Sequence, residues 1–140
     1  MNNFVEITRT EEFCAAHRLH NKSFTDEENR EIFGKCNYST FHGHNYIIRV
    51  SVRGIPDQKT GMVYNICDLK KELKTVLDGM DHKNLDKDVE FFKTHVSTTE
   101  NLVIYIWNRL KSQMSAPHLL WKIEVQETSK NWFPFYGPQK

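Results

Sequence analysis

His42-Gly43-His44 sets two imidazoles two residues apart. On an extended chain, residues i and i+2 point to the same side. One strand end can therefore offer two nitrogen ligands to a single metal, with Gly43 letting another group approach closely. The pair alone is a weak signal, because short motifs recur by chance. A third imidazole, His17, ends the segment Phe13-Cys14-Ala15-Ala16-His17. If the two segments pair as an antiparallel hairpin, His17 comes beside His42 and His44. Three neutral imidazoles with one open position form the pattern of a catalytic zinc. The competing reading makes His17 a satisfied buried histidine.

Cys36 lies six residues before His42. It reads as a fourth ligand closing a structural site, as a catalytic thiolate beside the metal, or as an inert buried thiol. A cation such as Lys35 favours the thiolate. Cys14 and Cys67 sit in apolar, strand-like sequence and read as core thiols. Asp81-His82 puts a carboxylate beside an imidazole, the pairing used in general acid–base relays. The alternative is a helix-terminal histidine near the negative end of the dipole. Glu127 shares strand parity with Trp121, Ile123 and Val125. A carboxylate on a core-facing row needs a partner. A planar group with two parallel N–H donors, such as a pterin edge, would supply one. The competing reading is a buried ion pair with Arg or Lys, or a strand end already in solvent.

These residues need strands and helices to hold them. The first strand is expected from Phe4 to about Ala16, and the second over residues 45–53. In the second, Tyr46, Ile48, Val50 and Val52 alternate with Ile47, Arg49, Ser51 and Arg53. Continued backwards, that row takes in His42 and His44. Met62 to Ile66 reads as short and extended. Asp68 to Met80 is expected to be helical, with one stripe of Leu69, Leu73, Val76, Leu77 and Met80. Ser97-Thr98-Thr99-Glu100 fits a capping box with Ser97 as N-cap. It opens a helix with Leu102, Val103, Ile106, Trp107, Leu110 and Met114 on its apolar face, ended by Pro117. Trp121 to Glu127 and Trp132 to Tyr136 complete a hairpin, with Pro134 pointing to an edge position. Residues 26–31 mix charges and read as a solvated loop or short helix. The order β-β-α-α-β-β predicts an α+β fold, an antiparallel sheet covered on one face by two helices. Its two open edges favour self-association.

Composition narrows the function classes. The 140 residues fit one domain, 1–140. Nineteen basic and eighteen acidic residues leave a net charge of +1, with no excess for a nucleic-acid partner. The longest apolar run, Leu102 to Trp107, is far short of the roughly 20 residues of a membrane span. No secretory signal pattern opens the chain. The three cysteines lack a Cys-x-x-Cys pair and read as free thiols. A cytoplasmic protein is expected.

Taken together, these segments resemble the 6-pyruvoyl-tetrahydropterin synthase family. The resemblance is carried by Phe13 to Leu19, by Phe33-Gly34-Lys35-Cys36-Asn37, and by His42 to Tyr46. It continues through Thr60 to Asn65, Leu69-Lys70, Asp81 to Leu85, Ser97 to Asn101, and Val125-Gln126-Glu127-Thr128. It spans about residues 4–137, with several independent motifs in order. It implies a tunnelling fold (T-fold), in which three subunits pool their sheets into a twelve-stranded barrel and two trimers stack into a homohexamer. It also implies Zn²⁺ on His17, His42 and His44, with Cys36 as proton acceptor. Asp81 and His82 would relay protons from a neighbouring subunit. Glu127 would anchor the pterin, and Thr98 and Thr99 would line its pocket beside Glu100.

The implied reaction is triphosphate elimination from 7,8-dihydroneopterin triphosphate, in tetrahydrobiopterin biosynthesis. No nicotinamide or flavin is needed, and no G-x-G-x-x-G fingerprint is present. Mg²⁺ would accompany the triphosphate, with Arg18, Lys35 or a neighbour's lysine as its cation. The related 6-carboxy-tetrahydropterin synthases typically carry their cysteine four residues before the first histidine, whereas here the gap is six. A structural zinc module closed by Cys36 is the non-enzymatic alternative; it leaves Glu127 and Asp81-His82 without a role. The family usually has Ser at the position of Cys14, and Trp132 to Tyr136 is unusual for its last strand.

Overall fold

The computed structural model describes residues 2–139. A long hairpin forms its spine. Strand β1 (Val5–His17) pairs antiparallel with β2 (His42–Gly54) along its full length, from Val5↔Gly54 to His17↔His42. Toward the histidines, β1 runs one residue past the expected Ala16 and β2 begins three residues before the expected residue 45. The 24-residue connection between them carries helix α1 (Asp26–Phe33) and a 3₁₀ turn over Gly34–Asn37. The mixed-charge segment is thus a helix. Thr25 caps it, with Glu28 reciprocating as in a capping box. Gly34 follows at φ 56°, a left-handed conformation that suits glycine.

Helix α2 (Ile66–Asp78) begins two residues before the expected Asp68, because the Asn65 side chain accepts from the Cys67 and Asp68 amides. Residues 62–65 are irregular, so the extended segment expected there is absent. Cys67 is exposed on the first turn and is no core thiol. After α2 the chain forms β3 (Lys83–Asn84), which lies parallel to β1 beside Ala15 and Ala16. Short helix α3 (Leu85–Asp88) follows, then α4 (Thr99–Gln113). The N-cap of α4 is Thr98, whose hydroxyl accepts from the Asn101 amide, and not Ser97. Ser97 is committed elsewhere: its hydroxyl donates to the Arg18 carbonyl and its own carbonyl receives His17.

Strands β4 (Leu120–Thr128) and β5 (Asn131–Phe135) close the sheet in the order β3-β1-β2-β4-β5. The sheet therefore has five strands, antiparallel except for the two-residue β3. Pro134 lies on edge strand β5, where a missing N–H costs little.

Helices α2 and α4 pack on each other and against the sheet. Both predicted stripes are buried, facing Phe13, Ala15, Tyr46, Ile48, Val50, Ile123 and Val125. Trp121 departs from the expected row, being 41% exposed. A bulge pairs Ser51 with Lys122 but Val52 with Leu120, so Trp121 is the extra residue and Leu120 takes the inward place. The displaced indole packs under the Arg53 guanidinium, 4.7 Å from its centroid.

Candidate metal centre and active site

The alternation that buries Tyr46, Ile48 and Val50 carries His44 and His42 onto the same face. Register then decides the rest. His17 pairs directly with His42, and Ala15 with His44. The three rings stand edge to face, with centroids 4.5 Å (His17–His42), 5.0 Å (His42–His44) and 5.1 Å (His17–His44) apart. Each offers a ligand atom, and all three lie within 4.8 Å of one another. A Cβ on Gly43 would sit 3.4 Å from the Ala15 carbonyl oxygen, an ordinary contact. Close approach within the chain does not explain that glycine.

His17 is fully buried, and its Nδ1 lies 2.6 Å from the Ser97 carbonyl oxygen. A carbonyl only accepts, so Nδ1 carries the proton and Nε2 presents its lone pair. This is the arrangement that orients a metal-binding imidazole. The Nε2 atoms of His17, His42 and His44 are all buried without a hydrogen-bond partner. Burial lowers the His17 pKa to about 4; the Ser97 bond opposes the shift, and the other two imidazoles add to it. Burial also pulls His44 down, against the opposing charge of Glu127. Unpartnered and convergent nitrogens fit a metal ion.

Glu127 reaches the same point from β4. Its Oε1 lies 3.2 Å from His44 Nε2 and 3.6 Å from His17 Nε2, and its side chain is 20% exposed. The carboxylate is therefore already turned to the imidazoles and not held apart on an apolar row. Beneath the rings, Tyr46 stacks on Phe13, and its hydroxyl is buried without a partner. Burial, with the charges of Glu127 and Asp86, holds that phenol protonated far above its usual range.

The Cys36 turn is tied to the residues that follow His17. Leu19 N donates to the Cys36 carbonyl at 2.8 Å, Arg18 Nε to the Asn37 carbonyl at 2.7 Å, and Asn37 Nδ2 to the Leu19 carbonyl at 2.7 Å. Cys36 is half-buried and, among the described residues, stands outside the group of mutually close ligand atoms. That geometry argues against a fourth-ligand role. Thr98, Thr99 and Glu100 begin α4 directly after Ser97. The Thr99 hydroxyl is buried without a partner, whereas Glu100 is exposed. Arg18 lines a groove of about 280 Å³ with His20, Lys22, Phe41, Lys93 and His95, a mainly basic lining that includes the acidic Asp86 and not Lys35.

Asp81 and His82 lie elsewhere. They group with Cys14, which has the opposite strand parity to His17 and so faces the other side of the sheet. Cys14 N donates to Asp81 Oδ1 at 2.9 Å, and His82 N donates to the Cys14 carbonyl at 2.7 Å. His82 Nδ1 lies 3.0 Å from Asp81 Oδ1. His82 adopts φ 61°, unusual for a non-glycine residue, and its side chain is 81% exposed. Within one chain, the structure does not bring this pair to the three histidines. The sequence reading missed Ser97, Asn37, Asp86 and Tyr46 as supports. Only Tyr46 carried a visible signal, its shared parity with His42 and His44; the others act through backbone atoms or long-range bonds.

A five-stranded sheet with two long helices on one face, and a metal-type histidine centre at the end of its main hairpin, defines a T-fold protein. The model of the 6-pyruvoyl tetrahydropterin synthase family matches residues 6–138. A Caenorhabditis elegans protein described as a putative 6-pyruvoyl tetrahydrobiopterin synthase is 55% identical over 133 residues, 95% of each chain. The Homo sapiens 6-pyruvoyl tetrahydrobiopterin synthase is 45% identical over 133 residues, covering 94% of this chain and 91% of its own. The solved Caenorhabditis elegans 6-pyruvoyl tetrahydropterin synthase superposes with a TM-score of 0.96 at 53% identity, covering 98% of both chains. The chain belongs to the 6-pyruvoyl tetrahydropterin synthase family.

Proposed function

We propose that this chain, as a single catalytic domain, converts 7,8-dihydroneopterin triphosphate to 6-pyruvoyl-tetrahydropterin with elimination of triphosphate. The observation that carries the reading is the convergence of three buried, unpartnered imidazole nitrogens in a member of this family. His17, His42 and His44 would hold Zn²⁺. Bound there, zinc supplies a Lewis acid and a template for the hydroxyls of the substrate side chain.

The chain's own groups do the rest. Glu127 accepts the N–H edge of the pterin, while Thr98, Thr99 and Glu100 line its pocket. The Cys36 thiolate takes the proton from the side-chain carbon. Asp81 and His82 shuttle protons in the site of a neighbouring subunit, a role consistent with their distance from the histidines of their own chain. Arg18 and the basic groove beside it suit the triphosphate, with Mg²⁺ as its counter-ion. The open β3 and β5 edges suit closure into a trimeric barrel and a homohexamer. No helix of the described residues is long and apolar enough to cross a membrane, in keeping with a cytoplasmic enzyme.

The test is an assay of the purified protein with Zn²⁺, Mg²⁺ and 7,8-dihydroneopterin triphosphate, following triphosphate release and the pterin products. Equimolar triphosphate and 6-pyruvoyl-tetrahydropterin are expected. A 6-carboxy product would move the chain to the related synthases, and no triphosphate release would overturn the assignment.

A further inference from the structure

We propose that Cys14, Asp81 and His82 form a second metal site, for a thiophilic divalent cation of the zinc and cadmium class. One ligand atom from each of the three lies within 4.8 Å of the others. Sulfur, carboxylate oxygen and imidazole nitrogen together suit zinc or cadmium; magnesium and calcium prefer all-oxygen sets.

The group is held as a unit although its members are 67 residues apart in sequence. The Cys14 amide fixes the Asp81 carboxylate, and the Cys14 carbonyl fixes the backbone of His82 in its left-handed conformation. Residues kept in such a conformation cluster at functional sites. The same three residues border a cleft of about 510 Å³ with Glu12. Glu12 shares the Cys14 face of β1, two residues away, and borders the cleft outside the group of three. In the single chain the His82 ring stands exposed at the border of the cleft.

This centre is separate from the three histidines, because Cys14 and His17 face opposite sides of the sheet. Without metal, the Cys14 thiol lies within 4.8 Å of an Asp81 carboxylate oxygen. Capture of the cation forms a metal–sulfur bond and releases the thiol proton to solvent, with no change in oxidation state. A cation there also occupies Asp81 and His82. Resting on the relay role proposed above for that pair, excess zinc should therefore inhibit turnover.

The experiment starts from protein carrying one zinc per chain and adds cadmium. A cadmium–thiolate charge-transfer band in the ultraviolet reports a sulfur ligand. Wild type, Cys67→Ser and Cys36→Ala should gain the band with one further equivalent per chain. Cys14→Ser should not, while keeping its first zinc. His82→Asn leaves the thiol in place and tolerates the left-handed backbone; it should weaken cadmium binding at least about tenfold. In the turnover assay, Cys14→Ser should match wild type without added metal and need at least about tenfold more zinc for the same inhibition. A band that survives in Cys14→Ser, or a wild type that takes no second equivalent, overturns the site. A protein that never releases triphosphate overturns the functional reading, while the cadmium band still decides the metal site.

Discussion

Glu127 Oε1 lies 3.2 Å from His44 Nε2, yet the two atoms make no hydrogen bond. At His17, 3.6 Å from the same oxygen, the cause is plain: its proton sits on Nδ1, so a lone pair faces the carboxylate. Acceptors aimed at one point without a donor between them are costly when buried. A cation at that point removes the conflict, and so does a ligand that gives the carboxylate its own N–H donors.

Glu127→Gln should therefore weaken pterin binding about ten- to a hundredfold. A charge-assisted hydrogen bond is worth about 1.5–3 kcal/mol, and each 1.4 kcal/mol is about tenfold. Metal content should stay at the wild-type level, since three imidazoles remain. Calorimetry with sepiapterin checks the first claim; equal affinities for both proteins would reduce Glu127 to a structural residue.

His42→Ala should purify without its metal. The remaining pair, His17 and His44, gives two ligands, and a catalytic zinc uses three. Elemental analysis of the purified variant decides this, and full zinc retention would show the metal lies elsewhere.

Cys36→Ala should keep its metal and lose turnover by at least about 10²-fold, the lower range for a general base. Metal and rate must be measured on the same preparation. Loss of zinc would instead make Cys36 a ligand, against its position outside the histidine group.

The metal-free protein should lose stability as pH falls from about 6.5 toward about 4. Unfolded, His17 takes up a proton near 6.5; folded, it resists until about 4, because it is buried. Above that window both states are neutral and the group contributes nothing. Within it the unfolded state binds the extra proton, so folding weakens by up to roughly 3 kcal/mol. Urea midpoints across the range should fall for wild type and fall less for His17→Asn. Parallel profiles for the two proteins would contradict the shift.

Subunit mixing tests where Asp81 and His82 act. Cys36→Ala and His82→Ala subunits, each inactive alone, should regain partial activity after dissociation and joint reassembly. Proven heteromers without activity would place each site within one chain.

Much of this was legible in the sequence because it is local. The alternation of Tyr46, Ile48, Val50 and Val52 follows from the two-residue period of a strand, and it carried His42 and His44 with it. The stripes of α2 and α4 follow from the helical period and were buried as read. The motifs around Cys36, Asp81-His82 and Glu127 were specific enough to mark the family.

What the sequence left open depends on partners far along the chain. Ser97 looked like a helix cap, but its bonds to Arg18 and His17, about eighty residues away, pass the cap to Thr98. Trp121 looked inward until its register against β2 inserted a bulge. Cys14 looked like a core thiol, and only the pairing of β1 with the chain after α2 set it beside Asp81 and His82. Glu127 kept its predicted parity, but the contact with His44 needed β2 and β4 side by side. Spacing in sequence decides which way a side chain points within its own element. Hydrogen-bond register between elements decides what it meets, and that register is fixed only when the whole sheet forms.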